Sequence, residues 1–313
     1  MSYQLQKKNG AVFYLDILGF AALTQNKIKL DNKDYAAWNI PKHLHKDNQT
    51  LAATILVEFR EVLFKWQTAY SHTLTIAQLS DCAFVWSENI GDVIIAASNI
   101  MWDCIKKGIL CRGGLSCGEI IETNANNQLG RLILGEAVSN AARLEECGAK
   151  GARIMTTPDM QSALHRDNED LCNRIFSLFQ ELENTVDFIK YDEFKWYYIA
   201  NLSYNVPYLH CAPDDFIVEQ TVERIKLSNS LLFDPHFRWN AKTDAGKAQL
   251  NPSVAFISAD EQCVFKVKHT FGYSEINDMP RTNSQLDTKN KYVAEWAKNW
   301  KKEQGVIYFP DPE

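Results

Sequence analysis

The sequence predicts an α/β (α+β) protein with a mixed, partly helical C-terminal appendage, and three observations carry that expectation. Short apolar runs rich in β-branched and aromatic residues recur near 12–18, 72–76, 82–86 and 109–117, bounded by Gly, Asn and Asp. Stretches with apolar residues at helical spacing lie between them. From about residue 201 the alternation stops and polar connectors take over, which sets the expected division into a catalytic domain at 1–200 and an appendage at 201–313 packed on it.

The first element organises the rest. Val12-Phe13-Tyr14-Leu15 reads as a buried strand that ends on a lone carboxylate, Asp16, and turns through Gly19 into a short helix. A carboxylate at a strand end, beside the amides of a turn, can hold a divalent cation and the phosphates it carries. Asp16 can equally cap the helix that follows. Residues 25–49 are polar and aperiodic and read as a surface loop or insertion. His43 and His45 lie in it without the partner ligands a metal needs, so they read as solvated.

Leu51, Ile55, Phe59, Val62, Leu63 and Trp66 mark an amphipathic helix over 50–69. A strand at 72–76, a turn at 78–81 and a returning strand at 82–86 then form a hairpin whose tip carries Asp81, though Asp favours turns for its own reasons. Val93, Ile94, Ala97, Ile100, Met101, Cys104 and Ile105 form the next helix, closed by Lys106-Lys107-Gly108. The strand at 109–117 holds Arg112-Gly113-Gly114, and glycines inside a strand signal close approach of a backbone or a ligand. Arg112 itself can face the other side of the sheet from Asp16.

Residues 123–128 read as a polar hairpin loop. Leu132-Ile133-Leu134 leads through Gly135 into a helix at 136–147 that carries Ser139, Asn140 and Arg143. A strand is expected at 152–155, and a helix opened by Thr157-Pro158. Strands at 186–190 and 195–200 would flank a hairpin tip at 191–193, with Lys190 beside it. Further on come a connector at 201–213, a helix at 214–232, a polar loop at 234–252, strands at 254–257 and 262–267, and a last helix at 287–301 bearing Tyr292, Val293, Trp296 and Trp300.

Composition narrows the function classes. The chain has 313 residues, 46% hydrophobic and 23% charged, enough to bury a large core. A net charge of −6 gives no basic footprint for nucleic acid, so a polyanionic ligand would need local cations or a metal. The polar start, the lack of a long apolar run, and eight scattered cysteines with no C-x-x-C pair point to a cytoplasmic protein with reduced thiols, bound neither to membrane nor to nucleic acid.

Four features stand in order along residues 11–200: Asp16 in Phe13-Tyr14-Leu15-Asp16-Ile17-Leu18-Gly19-Phe20, Asp81 after Ser80, Arg112-Gly113-Gly114-Leu115-Ser116-Cys117-Gly118, and Gly135 through Glu145 with Ala141-Ala142-Arg143-Leu144. Together they resemble the class III nucleotidyl cyclase homology domain. The resemblance implies a ferredoxin-like catalytic domain working as a head-to-tail homodimer, with active sites between protomers. It implies two Mg²⁺ or Mn²⁺ ions per site on Asp16 and Asp81, with the carbonyl of Ile17 as a further ligand. Amides at 17–20 (Ile17, Leu18, Gly19 and Phe20) would cradle the β- and γ-phosphates, Arg143 of the partner would offset charge at the α-phosphate, and Lys190 matches a phosphate-binding lysine more loosely.

The departures from the family pattern bear on substrate. The asparagine that orients the ribose is Ser139 here, and Asn140 could replace it only with a helix rotation of about 100°. The two purine-reading positions hold Ala77 and Leu132, neither of which can hydrogen-bond a purine edge, and base discrimination rests on such buried polar pairs. Arg112-Gly113-Gly114, the departure at Ser139 and the aromatic C-terminal helix with Lys291-Tyr292 and Trp296 are similar to the pyrimidine cyclases of the bacterial Pycsar anti-phage system. That resemblance implies conversion of UTP, or alternatively CTP, to a cyclic monophosphate read by a separate effector protein. A non-catalytic cyclase-like module that binds a nucleotide or dimerises is the competing reading, supported by Ser139 alone.

Overall fold

The computed structural model describes residues 5–123, 132–147, 149–183 and 190–258. The strand β1 (Leu5–Ile17) is the spine, and the alternation in its sequence is the reason. Ala11, Phe13, Leu15 and Ile17 are buried in the main core, whereas Val12, Tyr14 and Asp16 face the other way. After the short α1 (Phe20–Thr24) come α2 (Asn32–Ala37) and the long α3 (Asn48–Ala69), capped by Asp47, which accepts from the Thr50 amide at 2.9 Å. The hairpin β2 (Thr75–Leu79) and β3 (Cys82–Ser87) follows, then α4 (Ile90–Lys106), almost wholly buried, and β4 (Cys111–Thr123).

These four strands lie in the order β2-β3-β1-β4, all antiparallel, with helices crossing between β1 and β2 and between β3 and β4. That is the ferredoxin-like arrangement. The sheet continues through β6 (Ile154–Thr156), parallel to β4, and then β8 (Lys190–Phe194) and β7 (Phe179–Glu183). The short β5 (Ile133–Leu134) pairs with the end of β4 and feeds α5 (Glu136–Glu145). The helices α6 (Met160–Asp167) and α7 (Glu169–Ile175) precede β7, and α8 (Asp214–Phe233) and α9 (Asp244–Ser258) close the described chain.

Helices α3 and α4 cover one face of the sheet. On the opposite face α5 lies across β1 and β4. Gly114 permits that closeness: a Cβ there would stand 2.0 Å from the Ala141 carbonyl oxygen. The close approach signalled by the strand glycines is a helix backbone at Gly114, and at Gly113 it is the Phe13 ring and the Tyr14 carbonyl of β1.

Several expectations are corrected. Residues 25–49 are not a surface loop, because Ile28, Tyr35, Trp38 and Ile40 are buried in the main core. His45 stacks on Tyr35 with ring centroids 4.7 Å apart and bonds the Ile40 carbonyl at 2.7 Å, a packing role. The hairpin turn is Ser80-Asp81 alone, with Ser80 at φ 59°, since β2 runs through Leu79. The helix expected to open at Thr157-Pro158 begins at Met160.

The tip expected at 191–193 is the middle of β8, and residues 196–198 form a 3₁₀ turn, because the true partner strand is β7. The loop expected over 234–252 is two 3₁₀ turns and most of α9, and 254–257 is helix, not strand. Pro252 inside α9 and the polar run before it hide the helical pattern. The hairpin loop expected at 123–128, the strand at 262–267 and the helix at 287–301 fall largely or wholly outside the described residues.

One hydrophobic core joins the two expected domains. Leu202, Val206, Leu227, Leu231, Phe237, Trp239, Leu250 and Ile257 belong to the same buried cluster as Phe13 and Leu15. Seven cysteines among the described residues, from Cys82 to Cys211, are all free thiols. No helix among those residues is long and apolar enough to cross a membrane.

Candidate active site

Asp16 and Asp81 come together at the C-terminal end of β1. The register places Asp16 opposite Cys82, next in sequence to Asp81, and the Ile17 amide donates to the Asp81 carbonyl at 3.1 Å. Burial pushes the Asp16 carboxyl up to about 7, and the charges of Asp81 and Glu145 push in the same direction; Arg112 and the Ile17 backbone oppose them. Tyr14, two residues before on the same face, is also raised, first by burial and then by a hydrogen bond with Cys82.

Two of the four amides expected to cradle phosphate are already engaged. Ile17 donates to Asp81 as described, and the Leu18 amide donates to the Leu110 carbonyl at 2.8 Å. Among the described residues no acceptor takes the Gly19 or Phe20 amide. Gly19 sits at φ 85°, a conformation that a residue with a Cβ rarely adopts, and it breaks the strand into α1. The side chains of Ile17, Leu18 and Phe20 are buried in the core, so only their backbone faces a ligand.

Among the described residues there is no group of three or more His, Cys, Asp or Glu side chains able to hold a metal. Asp16 and Asp81 instead make a two-carboxylate, all-oxygen set. That set suits a hard cation such as Mg²⁺ or Mn²⁺, which is usually held by one or two carboxylates with water and substrate phosphates completing the shell. The raised Asp16 carboxyl, crowded by two like charges, is the electrostatic condition such a cation would relieve.

Arg112 was expected to be able to face away from this site. The register sets it directly opposite Asp16, on the same face of the sheet. It forms a largely buried ion pair with Glu145 of α5, 2.6 Å from Nη2 to Oε1, and donates from Nη1 to the Ala149 carbonyl at 2.7 Å. Sequence reasoning missed two neighbours of Asp16: Tyr14, two residues back on the same face of β1, and Glu145 at the end of α5.

The other site residues lie on several elements. Ser139 and Arg143 are exposed one turn apart on α5, and Arg143 Nη2 donates to Asn140 Oδ1 at 3.2 Å. Ala77 lies on β2 and packs at the edge of a small apolar cluster that includes Val12, Trp86 and Ala141 beneath α5. Leu132 precedes β5 and is 52% exposed. Lys190 is the first residue of β8, across the sheet from β1. Within one chain, then, the structure unites Asp16, Ile17, Leu18, Gly19, Phe20 and Asp81 and leaves Arg143, Ser139, Asn140, Leu132 and Lys190 on separate elements.

A cavity of about 360 Å³ opens toward the start of β1, lined in part by Lys8, Thr75, Trp86, Ile120 and Glu122. Glu122 is buried there between Lys8, at 2.9 Å, and the Trp86 indole N–H, at 3.0 Å.

No family model matches this chain, and no curated protein matches it. Among solved structures it is similar to a bacterial light-regulated adenylyl cyclase, at 20% identity and a TM-score of 0.41 over 61% of this chain and 52% of that one. It spans about half the length of that protein. It is also similar to the guanylyl cyclase domain of the RhoGC fusion protein from the aquatic fungus Blastocladiella emersonii, at 16% identity and a TM-score of 0.38 over 62% of this chain and 98% of that one. The adenylyl cyclase CyaB from P. aeruginosa gives 16% identity and a TM-score of 0.39 over 61% and 95%. Likenesses this distant carry no functional inference, and the site is read from its own geometry.

Proposed function

We propose that this chain is a class III-type nucleotide cyclase acting on a pyrimidine triphosphate, UTP ahead of CTP, and releasing 3′,5′-cyclic UMP and pyrophosphate. The observation that carries the reading is the convergence of Asp16 and Asp81 beside the Gly19 and Phe20 amides, which have no acceptor among the described residues. It is reinforced by four motifs in order, now seen on a ferredoxin-like sheet.

Two Mg²⁺ or Mn²⁺ ions, when bound, supply charge neutralisation at the attacking and leaving oxygens. The chain's own residues do the rest. The Gly19 and Phe20 amides donate to phosphate oxygens of the leaving pyrophosphate. Arg143 of a second copy neutralises charge that accumulates at the α-phosphate. Ser139, with Asn140 beside it, positions the ribose so that its 3′-oxygen lies in line with the α-phosphorus. Lys190 is assigned to the phosphates. The exposed Arg143 and the strongly exposed Leu79 at the hairpin suit a homodimer joined through the α5 side of the sheet. The apolar surroundings of Ala77 favour a base that needs no purine-edge partner there. The product would serve as a second messenger in anti-phage defence, read by a separate effector.

A silent binding module is the second reading, favoured by Ser139, which stands where the family pattern has asparagine. Incubation of the purified chain with ATP, GTP, CTP or UTP and Mn²⁺, with products identified by mass, tests both. A cyclic monophosphate from UTP or CTP alone supports the proposal, and a cyclic purine nucleotide overturns the reading of Ala77 and Leu132. Asp81→Ala should abolish turnover in a chain that still folds, whereas a binding module would keep signalling through that change.

A further inference from the structure

The loop from Ile17 to Phe20 is backed by a residue 222 positions away. Asn240 is 2% exposed, and its Nδ2 donates to the Leu18 carbonyl at 3.3 Å. That carbonyl can only accept, so the side-chain amide must point its nitrogen at the loop. The Asn240 Oδ1 is left buried without a partner among the described residues. A buried acceptor in this condition calls for an explanation, and the hydrogen bond made by the donor on the other side of the amide supplies one. Beside it the ring of Trp239 lies 3.4 Å from where a Gly19 Cβ would be, and closes the underside of the loop.

We infer that Asn240 is a positioning residue for phosphate binding, which aims the Gly19 amide into the site. In a planar trans peptide the carbonyl of Leu18 and the N–H of Gly19 point in opposite directions. Asn240 holds that carbonyl toward the interior, so the Gly19 N–H is turned outward, and it is one of the two loop amides with no acceptor among the described residues. The segment that carries Asn240 is itself anchored. Lys242 pairs with the buried Asp34 and with Asp31 at 2.9 Å, and the Trp38 indole donates to the His236 carbonyl at 3.3 Å. The region after residue 200 and the 25–49 insertion thus act together as the support of a catalytic loop at the opposite end of the sequence. The inference rests on the proposed function only through the phosphate that the loop receives.

The test is binding of inorganic pyrophosphate in the presence of Mn²⁺ to the full chain, measured by titration calorimetry, with the melting temperature measured in parallel. Asn240→Leu keeps the size and removes the donor, and should weaken pyrophosphate binding at least tenfold. In turnover it should raise KM for the triphosphate more than it lowers kcat. Asn99→Leu is the control: it removes another buried side-chain amide, one that donates to the Leu202 carbonyl at 2.8 Å away from the loop, and should lower the melting temperature while leaving pyrophosphate affinity within twofold. Should Asn240→Leu fail to fold, Asn240→Ala, which removes the donor without adding bulk, takes its place with the same expectation. Unchanged pyrophosphate affinity in a folded Asn240 variant overturns the inference and leaves the cyclase reading standing. A wild-type chain that binds no pyrophosphate with Mn²⁺ overturns both.

Discussion

Asp16 is held in a state that costs stability. Its carboxyl is raised from 3.8 to about 7, so between those values the unfolded chain has released a proton that the folded chain retains. Stability contributed by this group is therefore greatest at low pH and falls as pH rises from about 4 to about 7. Asp16→Asn removes the penalty and should raise stability at pH 8 by about 1–2 kcal/mol after solvent screening is allowed for. The same variant should lose the rise in melting temperature that Mn²⁺ gives the wild type. Denaturant melts of both chains at pH 5 and pH 8 check the sign, and a larger gain at pH 5 would contradict it. Arg112 has the opposite character: Arg112→Met strands Glu145 in a buried place and should cost about 3 kcal/mol at pH 7. Asp16 and Asp81 were legible in the sequence because a strand end and a turn are local patterns. Arg112 was not, since its face depends on the register of a strand almost a hundred residues away. Asn240 left no signal, because its only informative partner is the Leu18 carbonyl.

At the level of elements, the proposed function makes α5 the part whose position decides activity, because it carries Ser139, Asn140 and Arg143 on its outer side and Ala137, Ala141 and Leu144 on its inner side. Its seat is Gly114. Gly114→Ala would force a methyl group against the Ala141 carbonyl and should destabilise by about 2–3 kcal/mol, with a loss of turnover that exceeds the loss of folded protein. Melting temperature and kcat measured on one preparation separate the two effects. The helices α3, α4, α5 and α8 were readable from their periodicity. The insertion and α9 were not. The insertion buries few but large side chains, Tyr35 and Trp38 among them, too sparsely for a repeating pattern, and α9 is broken up in sequence by Pro252.

For the whole molecule, the residues on either side of position 200 share one core. A chain ending there would expose the apolar surface that Leu231, Phe237 and Trp239 now cover, and it should lose cooperative unfolding, as seen in a broadened thermal transition. With a net charge of −6, a triphosphate bound as proposed would be attracted by local cations and a metal at the site and not by the overall field.

The central claim is that Asp81 of one copy and Arg143 of another complete one active site, and complementation tests it most directly. Asp81→Ala and Arg143→Ala should each be inactive with UTP and Mn²⁺. Mixed in equal amounts and allowed to exchange, they should recover about a quarter of wild-type turnover, since half of the dimers are mixed and each mixed dimer has one intact site. A mixture no more active than either variant alone would contradict a site shared between protomers.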